Sequence, residues 1–286
     1  MSPNLLPVAL CLFSAITVAI VNVLVKRGGD ILTGRVVVHN TMALTVVPFL
    51  LFFPLPPLAT WPLIGTSMVA HWVYQFCLVR AMHRGDLSLV YPVMRGLGPL
   101  ATATFATFFL HEYLTPIQSI GLFAACFAIL FFALPTAATV EGRSLDRKAL
   151  FWAALTAVGV GLYAVSDTRA VRAMAEPMSF IIALFLLDPL GVTLVFLWQR
   201  RGRIREAIRP QLRAGIFGGL AGSLSYGAAI FAYTLTDAAH VTALRETSVV
   251  FAAGMGAWLL KENFGARRTI AAAVLAAGLV LMQAGA

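Results

Sequence analysis

Ten apolar runs follow one another along this chain, each about as long as a bilayer-crossing helix, with short polar gaps between them. A helix needs about 17–25 mostly apolar residues to span hydrocarbon. The runs are Leu5–Leu24, Val36–Phe53, Thr60–Val79, Leu87–Leu110, Ile117–Leu134, Ala149–Val165, Met178–Leu197, Ala214–Leu235, Ala238–Leu260 and Ile270–Ala286. They are continuous rather than alternating, so helices are expected and barrel strands are not. Hydrophobic residues make up 60% of the 286, and charged residues 12%. A soluble domain has about 45–50% and about 25%, and no single water-soluble core hides so much apolar surface. Composition argues against a soluble enzyme, an acidic disordered chain and, despite a net charge of +9, a nucleic-acid binder. The expected fold class is an all-α integral membrane protein with ten transmembrane helices.

Local signals agree with the spans. Pro62, Pro116 and Pro177 fall in first turns, where a missing N–H costs little. Helix 2, with His39, Asn40 and Pro48, and the short helix 10 carry the weakest patterns. The first run lacks a preceding basic residue and a clear A-x-A site, and reads as a span rather than a removable leader. Cys11, Cys77 and Cys126 lie inside apolar runs, with no disulfide or metal-thiolate spacing, and read as small buried hydrophobes.

Basic residues orient the helices, because cytoplasmic loops carry excess Lys and Arg. With ten spans both termini share one side. Of the 21 Lys and Arg, that side holds only Arg169 and Arg172, and two more, Arg95 and Arg245, lie inside helices. The rest fall in the opposite loops, six of them in Arg200–Arg213, which reads as an anchor near anionic lipid. Both termini are therefore expected outside, on the periplasmic side of a bacterial inner membrane.

A weak repeat runs through the chain at an offset of 150 residues: Tyr91–Ile120 aligns with Val241–Ile270, matching Arg95 with Arg245 and Glu112 with Glu262. Each half, residues 1–137 and 138–286, holds five helices. Five is odd, so the second half enters the membrane upside down. Inverted repeats place a site near the midplane and suit alternating access.

The segments Val90-Tyr-Pro-Val-Met-Arg-Gly-Leu-Gly-Pro-Leu100 and Phe109-Leu-His-Glu-Tyr-Leu-Thr-Pro-Ile-Gln118 resemble the first repeat of an EamA-like transporter, of the drug/metabolite transporter superfamily. Ala232–Val241 and Leu260-Lys-Glu262 are similar to the second repeat. The resemblance implies a ten-helix carrier of small metabolites, often an exporter. His111 departs from it, standing where the family often has glycine before the hairpin glutamate. The outward termini depart too, since family members are commonly drawn with cytoplasmic ones.

Ionisable residues at bilayer depth are costly and mark pathways. Arg95 and Arg245 sit at equal depths of inverted helices, about 5 Å either side of the midplane. Two guanidiniums there suit a carboxylate or phosphate; snorkelling or structural pairing is the alternative. Glu246 either neutralises Arg245 or carries a coupling proton. Asp188 precedes Pro189, whose missing N–H bends the helix and opens room for a polar site. On helix 3, His71, Tyr74 and Gln75 share a face, with Trp72 beside them. Tyr91 lies one turn before Arg95, and Tyr226 and Tyr233 share a face of helix 8. Asn22 is a further candidate. Bundle packing accounts for these polar and aromatic side chains equally well. Gly215, Gly218, Gly219 and Gly222 read as a packing stripe, and Glu112 and Glu262 as caps.

Other motifs fail. Gly159-Val-Gly161-Leu-Tyr-Ala164 lies inside a span with no preceding strand. No second histidine follows His111-Glu112, no G-x-S-x-G turn occurs, and no Walker loop is present. The expectation is a secondary transporter, not an enzyme, with no cofactor or metal. It would move a small anionic or zwitterionic metabolite such as an amino acid. Arg95 and Arg245 would hold the acidic group, and Asp188 or Glu246 would couple to protons. Membrane lipid is its other partner, and it would be a monomer or weak homodimer. The alternatives are an intramembrane enzyme acting on a lipid-linked substrate and an exporter of cationic drugs. The charge pattern predicts that a cysteine placed within Arg200–Arg213 resists an impermeant thiol reagent in intact cells; rapid labelling would reverse the topology.

Overall fold

The apolar runs fold as helices in the computed structural model, which describes residues 5–28, 30–84, 87–133, 146–251 and 265–284; no strand occurs among them. In chain order the helices are α1 (Leu6–Gly28), α2 (Ile31–Val46), α3 (Trp61–Arg84), α4 (Leu87–Phe109), α5 (Pro116–Ala133), α6 (Arg147–Arg172), α7 (Pro177–Leu187), α8 (Pro189–Gln199), α9 (Ile204–Leu235), α10 (Ala238–Arg245) and α11 (Gly265–Ala284). Among the described residues four helical stretches are long and apolar enough to cross a membrane: Ile31–Leu51, Arg147–Arg172, Pro177–Gln199 and Ile204–Leu235. Shorter apolar helices cover Leu6–Val21, Pro116–Phe131 and Thr269–Gln283.

Helix starts follow local chemistry. Pro116 and Pro177 open α5 and α7, and Pro62 lies in the first turn of α3. Asp30 caps α2, accepting from the Thr33 N–H at 3.2 Å and from the Thr33 hydroxyl at 2.7 Å. Arg200 Nη2 reaches the same carboxylate at 2.7 Å. Partial burial pushes the Asp30 carboxyl up, but the Thr33 donors and the Arg200 guanidinium outweigh it and hold it below the usual carboxylate range. Pro48 ends α2 by opening a 3-10 turn, Val47–Leu51.

Three helices run past their apolar stretches. α6 continues to Arg172, α9 begins at Ile204 and α11 at Gly265. The added residues are mostly polar, and polar residues with good helix propensity extend a helix without lengthening its hydrophobic run. The expected helix 9 is broken: α10 stops at Arg245, and Glu246 and Thr247 turn on i→i−3 bonds to Ala243 and Leu244 before helix resumes. Its remainder and Glu262 lie outside the described residues.

The chain divides into two contact units, each drawn from both sequence halves. The first comprises Met1–Trp72 and Ser166–Thr236. There α9 packs on α1 and α2. Ser14 meets Ser225, and Val21 approaches Gly218, so α1 and α9 run antiparallel. The glycine stripe serves packing as read: a Cβ on Gly215 would lie 2.4 Å from Val37, and one on Gly219 2.4 Å from Thr41. α2 in turn lies antiparallel to α7–α8, with Leu32 and Val36 against Val192 and Phe196. Arg172 caps the end of α9 by donating to the Tyr233 and Thr236 carbonyls at 2.8 and 2.9 Å.

The second unit comprises Val73–Val165 and Asp237–Ala286. α5 packs on α4 and α11. Gly121 faces Gly278 and Met282, while Gly278 faces Gly121 and Ala125, so α5 and α11 cross in opposite directions at backbone contact. The opposite face of α5 presents Ile117, Ile120, Phe123 and Phe127, all exposed. A row of bare apolar side chains on a helix suits lipid, not water.

His111 ends α4. The Leu110 and Glu112 N–H groups both reach back to the Ala106 carbonyl, at 2.9 and 3.2 Å, and the tight reversal between them runs through His111, just past the helix end. That position requires a left-handed backbone, and His111 has φ of 56°. The glycine of the family pattern therefore has a conformational cause. The neighbouring Glu112 is a cap, though not of its own hairpin: its Oε2 accepts the Ala238 N–H at the start of α10 at 2.8 Å. A left-handed non-glycine residue costs about 1–2 kcal/mol, so His111→Gly should stabilise the detergent-solubilised protein by about 1 kcal/mol in equilibrium unfolding. An unchanged or lower stability would contradict the strain at this turn.

Candidate functional site

Among the described residues, each unit brings buried and half-buried ionisable side chains together. In the first unit the cluster is assembled from five helical elements. Ser67 and His71 lie one turn apart on α3, and Arg35 and His39 one turn apart on α2. Asp167 sits near the end of α6, Tyr226 on α9, and Asp188 between α7 and α8. Pro189 supplies the break at Asp188, because it brings no N–H to the helix ladder.

Asp167 is fully buried. It accepts hydroxyl hydrogen bonds from Ser67 and Tyr226. His71 Nε2 lies 3.0 Å from its Oδ2, and the other ring nitrogen, Nδ1, lies 3.8 Å from Asp188 Oδ1. The His71 ring meets Tyr226 edge-on at 5.7 Å between centroids. His39 Nδ1 bonds Asp188 Oδ2, and His39 Nε2 lies 3.5 Å from Arg35 Nη1. Trp72 donates its indole N–H to the Asp188 carbonyl at 3.2 Å. Its ring fits because residue 191 is glycine; a Cβ there would come within 2.6 Å of the indole. Among the described residues no group of three His, Cys, Asp or Glu is disposed to hold a metal ion.

In the second unit Arg95 Nη1 donates to Glu246 Oε1 at 3.1 Å. Glu246 thus pairs across to α4, and Arg245, itself buried, also acts electrostatically on it. Both residues stand where α10 gives way to i→i−3 bonding, a device that often marks a functional hinge. Glu246 Oε2 and Ser248 Oγ are buried and make no hydrogen bond among the described residues. Residue 96, next to Arg95 and 150 residues before Glu246, is glycine, and a Cβ there would lie 2.8 Å from Leu130. Close packing of α4 on α5 requires glycine there.

The other candidates separate. Tyr74 meets Tyr163 edge-on at 5.0 Å, and Gln75 is buried beside it. Gly159 and Gly161, read above as no nucleotide loop, permit close helix contact: a Cβ on Gly161 would lie 2.7 Å from the Ala101 backbone. The side chains of Asn22 and Tyr91 lie outside the described residues. Sequence reasoning missed Asp167 and His39. Asp167 stands two residues past Val165, where the apolar run ends, and so beyond the span that apolarity defines. His39 registered only as a polar blemish in helix 2.

The family model described as EamA-like transporter family matches residues 147–283. A crystal structure of a protein 14% identical, covering 96% of this chain and 95% of its own, superposes with a TM-score of 0.73, which shows a shared fold. No curated protein matches the sequence. The two ion pairs should differ in weight. Breaking a buried pair by removing one partner costs about 3–5 kcal/mol, so Glu246→Gln should strongly lower the unfolding free energy in detergent. Asp30→Asn, which breaks a pair with side chains 28% and 43% exposed, should cost no more than about 1 kcal/mol. Equal losses would refute the contrast.

Proposed function

Since its second half is that of an EamA-like transporter, a multi-pass membrane protein of the drug/metabolite transporter superfamily, we propose that this chain is a secondary carrier. It exports a small zwitterionic or anionic metabolite, such as an amino acid, across the inner membrane by alternating access. Both termini lie on the periplasmic side. The observation that carries the substrate class is the cluster around Glu246. Two guanidiniums, Arg95 and Arg245, act on one carboxylate, and that carboxylate has a buried oxygen, Oε2, outside its ion pair. A guanidinium binds a substrate carboxylate through paired N–H donors. Glu246 Oε2 offers an acceptor for the ammonium of the same molecule. A cation-selective pocket would want the carboxylate without the arginines.

Inversion of the two halves has its own support. Arg95 and Glu246 are 151 residues apart, and His39 and Asp188 are 149 apart. Both separations nearly equal the 150-residue repeat. A residue meets the equivalent position of its own copy only near the axis relating the copies, as in inverted-repeat carriers. The antiparallel crossing of α5 and α11, the last helix of each half, fits the same relation. Transport is coupled to protons through a buried carboxylate, Asp188 or Glu246.

Charge-assisted hydrogen bonds contribute about 1.5–3 kcal/mol, or about 10–100-fold in affinity. Purified protein in liposomes should therefore exchange labelled leucine or aspartate in counterflow. Arg95→Ala and Arg245→Ala should each reduce that exchange at least about tenfold. Undiminished exchange in both variants, or exchange of organic cations instead, would overturn the assignment.

A further inference from the structure

The first turns of α9 carry arginines on one face. Arg205, Arg209 and Arg213 recur every four residues and are all exposed, so their side chains follow one another along the helix. Among and beyond them the same stripe turns apolar. Leu212, Ile216, Leu220 and Leu224 are exposed at the same spacing, and with the arginines they lie within about 120° around the axis. Leu212 to Leu224 covers about 18 Å of helix, and one leaflet of hydrocarbon is about 15 Å thick. The buried side of α9, with Gly215, Gly218 and Gly219, faces away from this stripe, onto α1 and α2. At the basic end, Arg205, Ile208, Arg209 and Leu212 line an open groove. Ile208 packs against Leu32, Val36, Val192 and Phe196, and the Arg200–Asp30 pair fastens the turn before α9 to the start of α2. The groove is therefore anchored to its own unit. Glu206 is the one acid within residues 200–213. Among the described residues no carboxylate comes within ion-pair distance of Arg205, Arg209 or Arg213. Trp198, exposed at the end of α8, stands where an interfacial tryptophan belongs.

We propose that this face of α9 binds one anionic phospholipid, with its phosphodiester on Arg205 and Arg209 and an acyl chain along Leu212, Ile216, Leu220 and Leu224. A guanidinium donates paired N–H bonds to phosphate oxygens. Two of them at i, i+4, with Cβ atoms about 6 Å apart, reach one phosphate from two sides. Arg213 adds a third charge where headgroup gives way to chain, its stem lying along apolar surface while its head stays wet. Six arginines against one glutamate in residues 200–213 also set the headgroup. Choline and ethanolamine bring a cation that this field repels, whereas a glycerol headgroup leaves the phosphate charge unopposed. Charge alone would collect any anion. The apolar stripe, as deep as a leaflet, selects one that carries chains. The site depends on the chain lying in a membrane and not on what the protein transports.

The test uses full-length protein, stripped of lipid in a neutral detergent and titrated with palmitoyl-oleoyl phosphatidylglycerol while adducts are resolved by native mass spectrometry. The first adduct should form at a concentration at least about tenfold below that needed for phosphatidylcholine with the same chains. Replacing Arg205 and Arg209 together (R205Q with R209Q) should weaken it at least about tenfold, because charge-assisted hydrogen bonds are lost. Arg201→Gln with Arg203→Gln removes the same charge from the turn that precedes α9 and should change it by less than about twofold. Should the arginine variants fail to fold, the unmutated protein still decides. Then sn-glycerol 3-phosphate, which has the phosphate but no chains, should fail to displace the lipid at about a hundredfold excess, because buried acyl carbons supply much of the binding. Equal weakening by the two arginine pairs, or equal affinity for the two lipids, would show diffuse attraction and overturn the site. Displacement by glycerol phosphate would show a site for free phosphate and overturn it too.

Discussion

A carboxylate inside a membrane-spanning helix has no water to turn to, so another helix must meet it. That constraint organises both contact units. Asp167 draws hydroxyls and an imidazole from α3 and α9, Asp188 ties the α7–α8 break to α2, and Glu246 ties the end of α10 to α4. Helices in lipid gain little hydrophobic advantage by touching one another, so small residues and interhelical hydrogen bonds guide their association. The glycines complete this arrangement. Gly215 and Gly219 bring α9 onto α2, and Gly121 and Gly278 bring α5 onto α11, at distances that a Cβ would forbid. Close approach then lets short side chains such as Asp and Ser reach across.

The sequence made the helices and their prolines legible because lipid solvation imposes a long apolar period that nothing else in the chain mimics. It made Arg95, Arg245, Asp188, His71 and Tyr226 legible for the same reason, since each interrupts an apolar run at depth. The ends were harder to read. A helix may leave the apolar run and continue, as α6 does through Asp167 to Arg172 and as α9 does before Ala214. Apolar periodicity stops there, while backbone hydrogen bonding does not. The break after Arg245 was invisible because Glu246 and Thr247 carry no glycine or proline to announce it. Pairings were beyond reach altogether. That Glu246 accepts a hydrogen bond from Arg95 on another helix depends on which faces meet, and no single-chain spacing encodes that.

The two clusters differ in the groups that they bring together. Arg95, Arg245 and Glu246 combine two guanidiniums with a single carboxylate. His39, His71, Asp167 and Asp188 combine imidazoles with carboxylates, held together by hydroxyl and indole donors. Position 96, which precedes Glu246 by 150 residues, is glycine. A Cβ there would lie 2.8 Å from Leu130, so the packing of α4 on α5 leaves no room at 96 for an acid such as the one that Arg95 meets at the far end of α10.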